Sequence, residues 1–152
     1  MTIMTRTTIR NTVFALFAAT ALATPAFAGG CPVNKNAVNA LTGAPTMPKG
    51  VTDDVLGSVD LGAEINVADR QLRTRRLVVQ PGGIVPLHSH KDRPALIYTV
   101  SGQITEYRSN CAVPILHRAG DIAREADGIS HYWINRGKVP TVLLSSDVHH
   151  GN

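Results

Sequence analysis

From Asp69 onward, short apolar and β-branched runs alternate with clusters of glycine, proline, asparagine and aspartate, leaving little room for helices. The pattern predicts strands over Gln71–Gln80, Ile84–His88, Ala95–Val100, Gln103–Arg108, Ile115–His117, Asp121–Glu125, His131–Asn135 and Val139–Val148. Turns are expected at Pro81-Gly82-Gly83, Ser101-Gly102, Ser109-Asn110, Arg118-Ala119-Gly120, Asp127-Gly128 and Arg136-Gly137. One such set of strands can close a single barrel, so residues 70–150 are expected to form an all-β domain. Residues 29–69 read as an N-terminal arm. Its first part, to about Gly50, has little periodicity, whereas Val51–Asn66 can add an edge strand because Gly57 and Gly62 argue against a helix.

The first 28 residues have a different pattern: Arg6 and Arg10 precede the alanine-rich apolar run Thr12–Ala23, which is followed by Ala26-Phe27-Ala28. This is the pattern of a secretory signal cleaved after Ala28, and the run is short for a membrane anchor. A periplasmic or secreted protein, free of the membrane after cleavage, is therefore expected. Cleavage would also leave thirteen Lys and Arg against eleven Asp and Glu, a formal charge of +2. That balance, with no aromatic stripe beside Arg70, Arg73, Arg75 and Arg76, excludes nucleic acid as the expected partner. On a strand those arginines read as a solvated face, or one of them meets an anionic ligand. Cys31 and Cys111, the two cysteines of the chain, are expected to form a disulfide in an oxidising compartment; free thiols and lipidation of Cys31 are the alternatives.

Candidate chemistry begins with His88-Ser89-His90. Residues two apart on a strand project from one face, so both imidazoles can reach one point. Around this pair the spacing is regular. Gly82 is followed by five residues, then His88 and His90, four residues, Ala95, six residues and Gly102. Further on, Gly120 is followed by five residues, then Ala126, Asp127 and Gly128, two residues, His131, three residues and Asn135. These spacings resemble the two motifs of the cupin family over about Gln80 to Asn135. The resemblance implies a double-stranded β-helix, or jelly-roll, barrel with the N-terminal arm as an extension. It also implies one divalent transition-metal ion (Fe, Zn, Mn, Ni or Cu) held by His88, His90 and His131. A homodimer is a further implication of the resemblance.

Two positions depart from the family pattern: Ala95 stands where it usually has glutamate, and Ala126 where it has proline. The first departure leaves either an open three-histidine centre, similar to that of thiol dioxygenases, or a barrel that has lost its metal. Glu106, Glu125 and Asp127 are candidate replacement carboxylates, with Glu106 preferred because it lies on the strand following Ala95. Strand parity places Ile97 and Thr99 with Ala95, and Trp133 and Asn135 with His131, as the lining of a mainly apolar cavity. Arg93, in the segment Lys91-Asp92-Arg93-Pro94, is the candidate for orienting an acidic or phenolic ligand. Tyr98 and Tyr132 alternate away, His117 reads as structural or exposed, and His149 and His150 as a mobile tail. No Gly-rich phosphate loop, serine elbow or Cys-x-x-Cys occurs. The expected function is a metal-dependent dioxygenase acting on a small organic substrate; the alternative is a non-catalytic module that binds metal or a small ligand.

Overall fold

A computed structural model of the chain describes residues 29–151. The expected signal segment and its cleavage point lie outside the described residues. Eight strands and one short helix follow in the order β1 (Lys49–Asp60), α1 (Leu61–Ile65), β2 (Arg70–Ser89), β3 (Ala95–Ser101), β4 (Gln103–Arg108), β5 (Ile115–Arg118), β6 (Ile122–Glu125), β7 (Ser130–Ile134) and β8 (Thr141–His150). They hydrogen-bond in the order β5-β4-β7-β2-β8-β3-β6, with β1 added to β2. This path curls into a nearly closed all-β jelly roll.

Three local expectations are corrected. First, Pro81-Gly82-Gly83 is not a break between two strands: β2 runs through it as one strand of twenty residues. Gly82 adopts φ 71°, and a Cβ on Gly83 would lie 2.9 Å from the carbonyl oxygen of Gly50. These glycines let the strand turn a corner while Gly82 N–H still donates to Asn135 O at 2.8 Å. Secondly, Gly62 does not exclude a helix. The one-turn α1 contains it, capped by the Asp60 carboxylate accepting from Gly62 N–H and closed by left-handed Asn66. Thirdly, His149 and His150 are the end of β8, paired with Gln71 and Arg70, rather than a loose tail.

Because β2 bends, its two halves pair with different neighbours. Arg70–Val79 pairs with β8 on one edge and β1 on the other, and Ile84–Ser89 pairs with β7. Inward-facing residues therefore stack in rows across β2, β8, β3 and β6. One row is Leu77–Leu143–Thr99, the next Arg75–Ser145–Ile97–Ala123, and the third Arg73–Asp147–Ala95–Glu125. The rows grade from apolar core to charge. Leu77, Val79, Ile97, Ile104, Trp133 and Leu143 are buried, and each such side chain contributes roughly 1.5–3 kcal/mol by leaving water. At the charged end, Arg73 donates to Asp147 through both Nε (3.1 Å) and Nη2 (2.9 Å). The arginines of β2 thus do not form a single solvated face: Arg73 and Arg75 turn inward beside buried Asp147, while Arg76 remains half-exposed near Asp54.

The arm is fastened by the expected disulfide, Cys31–Cys111, with Cα atoms 5.6 Å apart. Backbone bonds run with it: Ala37 N–H to Asn110 O (3.2 Å), Asn39 N–H to Ser109 O (2.8 Å) and Ala112 N–H to Lys35 O (2.9 Å). Gly29 is packed so closely that a Cβ there would lie 2.0 Å from Ile122 O. Among the described residues no helix is long and apolar enough to cross a membrane.

Reduction of the disulfide, which spans 80 residues, is expected to lower unfolding free energy by about 4 kcal/mol through the loop-closure entropy it restores to the unfolded chain. Urea denaturation with and without reductant, beside Cys111→Ser, measures this. Asp147 gives a second expectation. Burial raises its carboxyl, but the hydrogen bond from Arg73 and the charges of Arg75, Arg73 and Arg93 outweigh that and hold it below its ordinary 3.8. Its contribution is therefore complete above that ordinary value and is lost as pH falls through the depressed one. Asp147→Asn should cost about 3 kcal/mol at neutral pH, since it leaves buried guanidinium groups uncompensated. The gap in urea midpoint from the parent should close as pH is lowered below 3.8.

Candidate metal centre

His88 stands beside His131 across the β2–β7 ladder, and His90 follows at the end of β2. In all three rings Nδ1 is already engaged. His88 Nδ1–H donates to Pro86 O (2.8 Å), His90 Nδ1–H to Arg93 O (2.7 Å) and His131 Nδ1–H to Glu106 Oε1 (2.5 Å). With those protons fixed, each Nε2 offers a lone pair, and the three Nε2 atoms converge: His88 lies 3.1 Å from His90 and 3.1 Å from His131. Burial first, and then the neighbouring His131, push the His88 imidazole down to about 3 against the bond to Pro86, so it is neutral at physiological pH.

The fourth member of the cluster is Glu125, not Glu106. Glu125 lies directly across the β3–β6 ladder from Ala95. Its Oε2 is 2.9 Å from His90 Nε2, and the potential donor atoms of His88, His90, Glu125 and His131 lie within 4.8 Å of one another. Ala95 carries no donor, and the carboxylate in the cluster comes from its rung partner on the adjacent strand. Glu125 Oε1 is buried 3.3 Å from His131 Nδ1, with no hydrogen bond among the described residues. Converging lone pairs and an unpaired carboxylate oxygen are unfavourable by themselves and fit a cation. Nitrogen ligands around one transition-metal ion stand roughly 2.9–3.4 Å apart, so the observed separations suit a shared ion. The cluster could hold a metal; its donor set does not fix which one.

Glu106 sits behind the cluster and is fully buried. Oε1 accepts from His131 Nδ1 and from Arg108 Nε (2.6 Å), and Oε2 accepts from His117 Nε2 (2.9 Å). Burial by itself would raise this carboxyl, but the hydrogen bonds from His117 and His131 and the charges of His131 and Arg108 hold it far below the ordinary carboxylate range. It is an anion that sets the tautomer and orientation of His131. His117, read from sequence as structural or exposed, has this further contact and lies against Trp133, with ring centroids 4.6 Å apart. Its signal in the sequence is faint: Glu106 and His117 lie two rungs apart on the same face of β4–β5, which appears once the pairing is known. Arg108 Nη2 also donates to Gly29 O (3.1 Å), so the disulfide-held arm closes this network. Asp127 is exposed and pairs with Arg124 (2.7 Å), away from the cluster.

A cavity of about 240 Å³ opens from the centre. Leu77, Val85, Ile97, Trp133 and Leu143 form its apolar walls, with Arg75, Arg93 and Asp53 at the polar side. Ile97 and Trp133 thus line it as expected. Thr99 is buried outside it, and Asn135 instead clamps backbone, donating to Val79 O and Val139 O (both 2.9 Å). Arg93 faces Asp147 at 3.6 Å. Tyr98 points outward, and Tyr132 stacks on Tyr107 with centroids 4.6 Å apart.

The family model described as "Cupin domain" matches residues 75–147. Germin-like protein 1 of Brassica napus is 28% identical over 76 residues, which cover 48% of this chain and 37% of that protein, so the chain spans well under half of that relative's length. Among solved structures, a protein from Thermotoga maritima described as a predicted oxalate decarboxylase superposes with a TM-score of 0.53 at 19% identity, covering 73% of this chain and 96% of that one. An oxalate oxidase in complex with the substrate analogue glycolate gives 0.52 at 19% identity, covering 75% and 59%. At such identities these likenesses speak for the fold alone. The match to the cupin family model over residues 75–147, with the germin-like relative and the shared barrel fold beside it, supports placing this chain in the cupin superfamily.

Proposed function

We propose that the protein is an exported cupin that binds one divalent transition-metal ion through His88, His90, His131 and Glu125, and that it is a metal-dependent dioxygenase of a small organic substrate. The observation that carries the metal reading is the convergence of three Nε2 lone pairs, each fixed by an engaged Nδ1, on a buried carboxylate. Relatives described as an oxalate oxidase and a predicted oxalate decarboxylase support small-molecule chemistry in such a barrel. Export is supported by the disulfide, which suits an oxidising compartment.

A metal bound there supplies Lewis acidity and, where redox-active, one-electron chemistry. The chain's own residues do the rest. Glu106 holds the His131 ring, and the carbonyls of Pro86 and Arg93 hold the other two. Trp133, Leu77 and Leu143 keep water from the chamber, while Arg93 at its polar side orients an anionic group. At about 240 Å³ the chamber is smaller than the roughly 300–1,000 Å³ that holds drug-sized ligands, which limits the substrate to a small molecule. A non-catalytic binding module is the second reading. It is favoured by the lining: among the described residues, Asp53, Arg75 and Arg93 are the titratable side chains of the chamber outside the cluster, and none is an evident general base at its centre.

Elemental analysis of protein purified from its own compartment tests the centre. His131→Ala and Glu125→Gln should retain little metal beside the parent, and stoichiometric metal in His131→Ala would refute the site. Glu106→Gln, which removes the anion behind His131, should weaken metal affinity about 10- to 100-fold with the barrel still folded by circular dichroism. N-terminal sequencing should find Gly29 first. Dioxygen uptake by metal-loaded protein across small organic acids, catechols and thiols separates the readings: turnover supports the dioxygenase, and stoichiometric binding without turnover supports the module.

A further inference from the structure

The polar side of the chamber has a construction that the metal centre does not require. Asp147, with no exposed side-chain surface, faces three guanidinium groups: Arg73 at 2.9 Å, Arg75 at 3.5 Å and Arg93 at 3.6 Å. Arg73 is satisfied by its two-pronged bond. Arg75 and Arg93 reach Asp147 only at or beyond hydrogen-bond length, and both line the cavity. Arg75 Nε is buried without a partner among the described residues. Its other contacts are Ser145 Oγ at 3.3 Å and the carboxylate of Asp53, which reaches over from β1 and is itself 40% exposed.

Glu125 also lines this chamber and acts on Arg93, but it belongs to the histidine cluster. Beyond it, the three guanidinium groups share Asp147 and Asp53, and Asp53 is a 40% exposed residue on an edge strand. With Asp53 turned toward water, Asp147 alone faces three guanidinium groups beside an apolar chamber. Partly desolvated guanidiniums with unused donors match a carboxylate.

The geometry points to an anion subsite. Arg75 and Arg93, positioned from behind by Asp147, receive the carboxylate of a small organic acid whose apolar body lies along Trp133 and Ile97. The Asp53 carboxylate is the internal competitor that ligand displaces. This assigns the substrate class as small apolar-bodied carboxylic acids and makes Arg75 and Asp53 specificity determinants. It rests on the reading of this cavity as the ligand chamber of the metal centre, although the arginine pair would act whether or not metal is bound.

Trp133, the single tryptophan of the chain, lines the cavity and supplies the readout. Purified protein, both EDTA-stripped and metal-loaded, is titrated with 3-methylbutanoate and with its neutral isostere 3-methylbutanamide while tryptophan emission is followed. The acid should bind at least tenfold more tightly than the amide in both preparations. Arg75→Gln and Arg93→Gln should each weaken the acid about tenfold and leave the amide unchanged, whereas Asp53→Asn should tighten the acid severalfold. Equal affinity for acid and amide, unaltered binding by the arginine variants, or weaker binding by Asp53→Asn would overturn the subsite. Should Arg75→Gln fail to fold by circular dichroism, Arg93 in its loop and Asp53 on its exposed strand still decide. Metal content of the same samples reports separately on the centre, so loss of one reading is distinguishable from loss of the other.

Discussion

Everything in this barrel depends on one strand that turns a corner and pairs differently on either side of it. β2 carries Arg73, Arg75 and Leu77 into the ladder with β8, turns at Gly82-Gly83, and carries Val85 and His88 into the ladder with β7. Had the chain broken at Pro81, the two halves could take independent directions, and nothing would oblige the histidine pair to face His131 across a barrel that also holds Asp147. The corner keeps its backbone bonded to Asn135 on both sides, through Gly82 N–H and Gly83 O, so the bend costs little hydrogen bonding. Proline is tolerable in that segment because it lies at the corner rather than inside a regular ladder.

The barrel also buries more charge than its apolar core would suggest, and two of its buried carboxylates are compensated by cations. Glu106 faces Arg108 and two imidazoles; Asp147 faces arginines. Asp147 lies at the charged end of the stacked rows, with Leu77 and Leu143 at the apolar end, and Glu106 sits behind the histidine cluster. Buried ion pairs add little net stability compared with well-packed apolar residues, but they fix positions strongly once formed. Here they fix the ring of His131 and the guanidinium groups at the cavity, the places where a ligand chamber requires rigidity. The arm contributes to the same end: its disulfide places Gly29 against Arg108, and thereby against the support of Glu106.

Ala95 and Glu125 illustrate how a donor set can survive a change at a motif position. The two residues share a rung, and the carboxylate comes from Glu125 while Ala95 carries no donor. The cluster retains three imidazoles and a carboxylate while the sequence motif loses its acid. Because superfamily folds host many chemistries, what this cluster can do depends on its surroundings rather than on the barrel.

The sequence by itself indicated most of the strands and turns, though not that β2 runs on through Pro81-Gly82-Gly83, and it singled out the cysteine pair and the three histidines, because each depends on local alternation, on glycine and proline, or on regular spacing in one stretch of chain. It also suggested that Arg93 stands near the centre, since Arg93 is three residues from His90. It did not separate Glu125 from Glu106, recognise His117, or show that Arg73 and Arg75 turn inward to Asp147. Those facts depend on which strand lies beside which. Glu125 is thirty residues from Ala95 and Asp147 more than seventy from Arg73, yet each pair shares a rung. A carboxylate on an alternating strand has the same local pattern whether it faces solvent, a metal or a guanidinium; its role was decided only when the register of the closed barrel chose its neighbours.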